Sequence, residues 1–155
     1  MSSRVIAKLT IETPEEMHAL GERLASVFKA GDLILLTGPL GAGKTTMTRG
    51  VGEALGAIGN VSSPTFVLAR THKCESGPDL VHVDAYRLKS AAELDDLDID
   101  FANSITLVEW GKGLTDGITE DWLDIEIERD HTGESETRGV LITGYGQRWA
   151  EVSIK

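Results

Sequence analysis

Cysteine is almost missing from this 155-residue chain: Cys74 stands alone, which excludes an internal disulfide and any zinc cluster built on cysteine. The four histidines, His18, His72, His82 and His131, show no ligand spacing, so no structural metal is expected. Long apolar runs are missing too. None approaches the roughly 20 residues that cross a bilayer, and the opening Met1-Ser2-Ser3-Arg4-Val5 lacks the apolar stretch of an export signal. The expectation is a cytoplasmic protein with no membrane contact. Positive charge is scarce, with 15 Lys and Arg against 25 Asp and Glu, a net charge of −10 and no basic cluster. Proteins that grip a phosphate backbone use many Lys and Arg contacts, so this balance disfavours direct binding of DNA or RNA and favours basic protein partners.

What remains is ordinary for a globular chain. Apolar residues make up 41% and charged residues 26%, and the length suits a single domain over residues 1–155 with a proper core and no repeats.

The informative feature is Gly38-Pro39-Leu40-Gly41-Ala42-Gly43-Lys44-Thr45, the G-x-x-x-x-G-K-T pattern of a phosphate-binding loop. It follows the apolar run Leu33-Ile34-Leu35-Leu36, which reads as a buried strand. It precedes Met47, Val51 and Leu55, spaced as one face of a helix. The spacing has a physical reason. Glycines let successive backbone N–H groups turn toward phosphate oxygens, and the following helix offers free N–H groups and its positive dipole end. Lys44 is expected to reach the β- and γ-phosphates, Thr45 to ligate Mg²⁺, and Thr46 to support a phosphate further back.

Around this loop the elements alternate. Val5, Ala7, Leu9 and Ile11 predict a short strand with one buried side. Thr13-Pro14-Glu15-Glu16 is a capping box with proline at the first helical position, leading a helix with Met17, Leu20, Leu24, Val27 and Phe28 on one face and a stop at Gly31. The loop helix closes at Gly56. Strands follow at Thr65 to Ala69, entered through Ser62-Ser63-Pro64, at Leu80 to Val83 and at Ile105 to Val108, with a short helix at Ala91 to Leu97. Trp122 to Glu128 alternates strictly and Gly139 to Thr143 follows a charged turn, so an antiparallel pair is expected there. The fold class predicted is a P-loop NTPase-like three-layer α/β/α domain with a mixed, mainly parallel central sheet and antiparallel C-terminal strands.

Two strands run into acids, Val81-His82-Val83-Asp84 and Leu107-Val108-Glu109. The carboxyl ends of core strands converge on the nucleotide in such folds, so either acid can bind Mg²⁺ directly or through water, or orient the attacking water. The alternative is that each merely ends its strand or caps the next helix, which the phosphate loop disfavours because a Mg²⁺-dependent site needs a carboxylate. Thr65, on a stretch stiffened by Pro64, is a candidate switch residue, and Trp110 a candidate aromatic for ligand, partner or rim. The acidic run Glu93 to Asp100 has the first spacings of a calcium loop, but Phe101 replaces its glycine and Leu107 its final glutamate, so a solvated or partner-facing acidic surface is expected.

Taken in series, the loop Gly38 to Thr46, Val61-Ser62-Ser63-Pro64-Thr65-Phe66, His82-Val83-Asp84-Ala85-Tyr86-Arg87-Leu88 and Leu107-Val108-Glu109-Trp110 resemble the bacterial TsaE (YjeE) ATPases across most of the chain. The resemblance implies a small Mg²⁺-dependent ATPase required for threonylcarbamoyl modification of the adenosine beside the anticodon. Such a protein docks on a TsaB and TsaD-type transferase complex and meets tRNA only through those partners. It implies Thr45 and Glu109 as Mg²⁺ ligands, Asp84 as the other essential acid, Thr65 as the switch-like threonine and Trp110 as the aromatic beside the nucleotide. It further implies Thr13 and Arg138 as peripheral nucleotide contacts. On this basis Asp84 is expected to orient or deprotonate water, or to hold Mg²⁺ through water, while Lys44 and the loop amides stabilise growing phosphate charge. Two alternatives stay open: a P-loop small-molecule kinase, against which the scattering of Arg129, Arg138 and Arg148 argues, and a nucleotide-sensing interaction module. A GTPase is disfavoured by the lack of an N-K-x-D sequence.

Overall fold

A computed structural model of the chain describes residues 3–39, 41–59, 69–75, 77–86, 88–111, 113, 119–129 and 137–154. The elements run β1 (Ser3–Ile11), α1 (Pro14–Ala25), β2 (Leu33–Thr37), α2 (Lys44–Leu55), β3 (Ala69–His72), β4 (Asp79–Asp84), α3 (Ala91–Asp95), β5 (Ser104–Glu109), β6 (Trp122–Arg129) and β7 (Arg138–Tyr145). One sheet takes all seven strands in the order β1-β7-β6-β2-β5-β4-β3. The central strands β4, β5, β2 and β6 are mutually parallel, while β3 is antiparallel to β4 and β7 is antiparallel to both β6 and β1. Five strands therefore point one way and β3 and β7 the other, the mixed, mainly parallel sheet that the sequence predicts.

Helices cover both faces. On one face α1 and α2 pack with Ile34, Leu36, Leu107, Ile125 and Ile142 in the larger core; on the other Leu94 of α3 joins Leu33, Leu35, Val83 and Val108 in a smaller one. This explains why β2 reads as an unbroken apolar run. Its alternate residues enter different cores, so Leu33 to Leu36 are all buried. A fully buried Leu or Ile contributes about 1.5–3 kcal/mol, which makes β2 a well-anchored base for the loop that follows it.

The helix starts follow their sequence signals. Thr13 Oγ1 accepts the Glu16 N–H at 3.1 Å and the Glu16 carboxylate accepts the Glu12 N–H at 2.7 Å, with Pro14 at the first position. Where α1 and α2 cross, only glycine fits. A Cβ on Gly21 would lie 2.1 Å from the Met47 carbonyl oxygen, and one on Gly50 would lie 2.1 Å from that of His18. The α2 end also agrees, with Gly56 left-handed at φ 76°.

Several boundaries differ from expectation. The α1 helix ends at Ala25 rather than Gly31, because Ser26, Val27 and Phe28 bond back three residues and the Ser26 hydroxyl takes the Arg23 carbonyl, tightening and closing the last turn. Val5 is 58% exposed rather than buried. A register shift between Val5 and Ala7 swings it off the inner face and brings Ile6 against the core instead. The strand expected at residues 65–69 falls largely outside the described residues; β3 starts at Ala69, its last residue. Helix α3 stops at Asp95, short of Leu97, with Asp96 as its C-cap. Asp96, Asp98 and Asp100 are exposed, as expected of an acidic surface. Among the described residues no group of His, Cys, Asp and Glu could hold a metal by itself, and no helix is long and apolar enough to cross a membrane.

Candidate functional site

The sheet delivers three strand ends to one place. Leu36 of β2 and Asp84 of β4 both stand in register with Glu109 of β5, on either side of it. The loop from Gly38 leaves the end of β2, so Lys44, Glu109 and Asp84 converge at the carboxyl edge of the parallel strands, where α/β folds place ligands.

Gly43 is the N-cap of α2 at φ 110°, a backbone that a side chain would strain. It supplies no side-chain cap, and the first turn of α2 carries no acid. In α1, by contrast, Thr13 caps the first turn and Glu15 and Glu16 face its dipole. The free N–H groups and positive end of α2 are thus left to an external anion.

Lys44 is buried. Its Nζ donates to the carbonyl oxygens of Gly38 and, at 3.3 Å, Pro39, and lies 4.1 Å from the centre of the Trp110 ring. Burial pushes its pKa below the ordinary lysine value, while the Glu109 and Asp84 carboxylates pull it back up. Both acids therefore sense the lysine, as a shared site requires. Glu109 is 4% exposed and its Oε2 stands 2.5 Å from His82 Nε2. Asp84 is half-buried and its Oδ1 accepts the Tyr86 N–H at 3.0 Å, fixing the turn after β4. Trp110 holds a left-handed backbone at φ 62°, with its N–H on the Leu36 carbonyl and its ring edge-on to Tyr86 at 5.3 Å. Such a conformation is rare for a bulky residue and costs on the order of 1–3 kcal/mol. It turns the ring back over Lys44.

On the other flank a pocket of about 110 Å³ lies between Thr13, Met17, Gly41, Thr46 and Arg138. Ala42 and Gly43 also line it, and Arg138 Nη2 donates to the Gly41 carbonyl at 3.4 Å. Thr45 stands half-buried in the first turn of α2. The structure thus brings together Gly38, Gly41, Ala42, Gly43, Lys44, Thr45 and Thr46 of the loop with Thr13, Asp84, Glu109, Trp110 and Arg138. Leu40 and Thr65 lie outside the described residues.

One expectation needs correcting. The arginines of the last third are not scattered: Arg129 and Arg138 pair across β6 and β7, and a guanidinium nitrogen of Arg129 lies 3.2 Å from where a Cβ on Gly41 would sit. Only Arg148 is remote, ion-paired with Asp32 at 2.9 Å. Their proximity rests on a hairpin register that spacing alone does not show. His82 belongs to no motif that marks it in the sequence, although a histidine two positions before a strand-end acid faces the same side of the sheet.

Fold and loop together define a protein of the P-loop class, and the solved structure of Bacillus subtilis YdiB superposes on it with a TM-score of 0.77 and 29% identity, covering 96% of this chain and 91% of that one. Residues 11–139 match the family described as threonylcarbamoyl adenosine biosynthesis protein TsaE. The tRNA threonylcarbamoyladenosine biosynthesis protein TsaE of Streptomyces coelicolor is 51% identical over 89% of this chain and 97% of its own. Those of Mycobacterium tuberculosis and Bacillus subtilis are 43% and 37% identical, over 83% and 88% of this chain and 82% and 84% of theirs. The chain belongs to the TsaE family of tRNA threonylcarbamoyladenosine biosynthesis proteins.

Proposed function

We propose that this protein is a Mg²⁺-dependent ATPase of the cytoplasm that supports threonylcarbamoyl modification of tRNA by acting on a TsaB and TsaD-type transferase complex, without transferring the group itself. The observation that carries the reading is the meeting of Lys44, Glu109 and Asp84 at the uncapped N-terminus of α2. The net charge of −10 supports a role exercised through protein partners, with tRNA met only through them.

The donor set fits a hard cation. Thr45 offers a hydroxyl and Glu109 a buried carboxylate, with Asp84 in register beside it, an all-oxygen set of the kind Mg²⁺ prefers. When bound, Mg²⁺ supplies charge neutralisation on the phosphate oxygens. Lys44 exchanges the carbonyls of Gly38 and Pro39 for phosphate oxygens, and the loop amides hold the anion as its charge grows. Asp84 orients the attacking water and accepts its proton, while Thr13 and Arg138 line the pocket for the nucleoside side. Trp110 covers Lys44 and excludes water.

The decisive measurement is threonylcarbamoyl incorporation into tRNA over many turnovers of the transferase, with wild-type protein, with Lys44→Ala and with neither. Sustained incorporation with wild type alone is expected. Equal incorporation in all three would overturn the reading, as would no uptake of ATP by the folded protein in equilibrium dialysis with Mg²⁺.

A further inference from the structure

We infer that His82 is the positioning residue for Glu109, setting the carboxylate for the cation and thereby tuning the affinity of the site for Mg²⁺-ATP. The inference rests on the proposed reading of Glu109 as a metal-binding carboxylate. His82 lies on β4 with no solvent exposure, in register with Leu107 of β5, two residues before Asp84 pairs with Glu109. Its Nε2 reaches diagonally to Glu109 Oε2 at 2.5 Å. An ionised carboxylate only accepts, so Nε2 must carry the hydrogen, and Nδ1 is left as a buried atom with no partner among the described residues.

That arrangement has no rationale in packing. The flanking positions on the same face, Leu80 and Leu107, are fully buried aliphatics in the larger core, where an imidazole with one unsatisfied nitrogen is costly. What the imidazole does achieve is directional. It occupies Oε2 and so leaves Oε1 as the freer oxygen, and it restrains the rotation of a side chain whose charge is felt by Lys44 at the loop. Hydrogen bonds that orient a ligating carboxylate are worth roughly 10- to 100-fold in metal affinity.

The test compares binding of Mg²⁺-ATP and of metal-free ATP by wild type, His82→Leu, His82→Gln, His82→Asn and Glu109→Gln, with thermal melts to establish that each variant folds. His82→Leu is expected to weaken Mg²⁺-ATP about 10- to 100-fold and leave metal-free ATP unchanged. His82→Gln, whose amide can reach the same oxygen, should recover to within a few-fold, and His82→Asn, one methylene shorter, should not. Should the leucine variant fail to fold, the Gln and Asn pair decides by the same criterion. Wild-type Mg²⁺ dependence in folded His82→Leu, equal affinities for Gln and Asn, or equal losses with and without metal would each overturn the inference. Glu109→Gln separates the two levels. If it leaves Mg²⁺ dependence intact, the metal reading of Glu109 itself fails; if it abolishes that dependence while His82→Leu does not, only the role of His82 falls.

Discussion

Replacing Gly50 by alanine should destabilise the protein although alanine is the better helix former. The perturbation is one methyl group at the crossing of α1 and α2, where the new Cβ would sit 2.1 Å from the His18 carbonyl oxygen, well inside the 3.0 Å below which real Cβ atoms are not found. The obstructing atom is backbone, so no side-chain rotation relieves it, and the helices must separate by about an ångström. Overpacking of this kind costs about 1–3 kcal/mol and occasionally more, while the helix propensity gained is about 1 kcal/mol. Because the contact is rigid, we place the steric cost at the upper end, for a net loss of about 2 kcal/mol. In a chain of this size that lowers the melting temperature by about 4–8 °C. Calorimetry or denaturant melts of Gly50→Ala read it directly. Gly139→Ala is the control, since a Cβ there meets nothing within 4 Å, and it should be neutral or mildly stabilising. The reasoning is refuted if Gly50→Ala melts within a degree of wild type. Separation should also reach the site, because α1 sets Met17 against Gly43 and α2 begins with Lys44; a several-fold loss of ATP affinity is expected to accompany the loss of stability.

Asp84→Ala should slow single-turnover hydrolysis by about 10²- to 10⁴-fold while nucleotide stays bound; a wild-type rate in a quenched-flow measurement would remove Asp84 from the chemistry. Burial, with His82 and Arg70 adding to it, pushes the His72 pKa below its ordinary value of 6.5. The unfolded chain therefore takes up a proton first, and stability should fall as pH drops below about 6.5 toward the folded value. His72→Gln should flatten that part of the stability profile, and an unchanged slope in urea melts from pH 7 to 5 would count against the assignment. Arg148→Met removes the guanidinium that lies over the Trp149 ring and strips the paired bonds from Asp32, which is 6% exposed. A cost of about 2–3 kcal/mol is expected, below the range for fully buried pairs because Arg148 is partly exposed. Adding Asp32→Asn should recover part of it in a double-mutant cycle, and strict additivity would contradict the pairing.

The parts of this fold that could be read from sequence are those whose cause lies within a few residues. The phosphate loop, the Thr13 to Glu16 cap, the doubly buried run of β2 and the Gly56 stop each follow from local sterics and hydrogen bonding, and each is where it was expected. What escaped depends on partners distant in sequence. Whether Val5 faces in or out is decided by a bulge against β7, the reach of Arg129 toward Gly41 by the β6 and β7 register, and the pairing of His82 with Glu109 by the alignment of two strands 27 residues apart. The site shows the same division. Glu109 and Asp84 were each legible as acids at the ends of apolar strands, but their common field on Lys44 appears only once β2, β5 and β4 lie side by side.

The sheet joins the first strand of the chain to the last, with Ser3 opposite Tyr145 and Ile11 opposite Arg138. A polypeptide leaving the ribosome therefore exposes its glycine loop and lysine long before the arginine that walls the adjoining pocket has been synthesised. Pairing of such remote segments is slow compared with helix formation. The pocket beside the glycine loop is thus among the last features to mature, and a truncated product ending before β7 carries the sequence motif without the finished cradle.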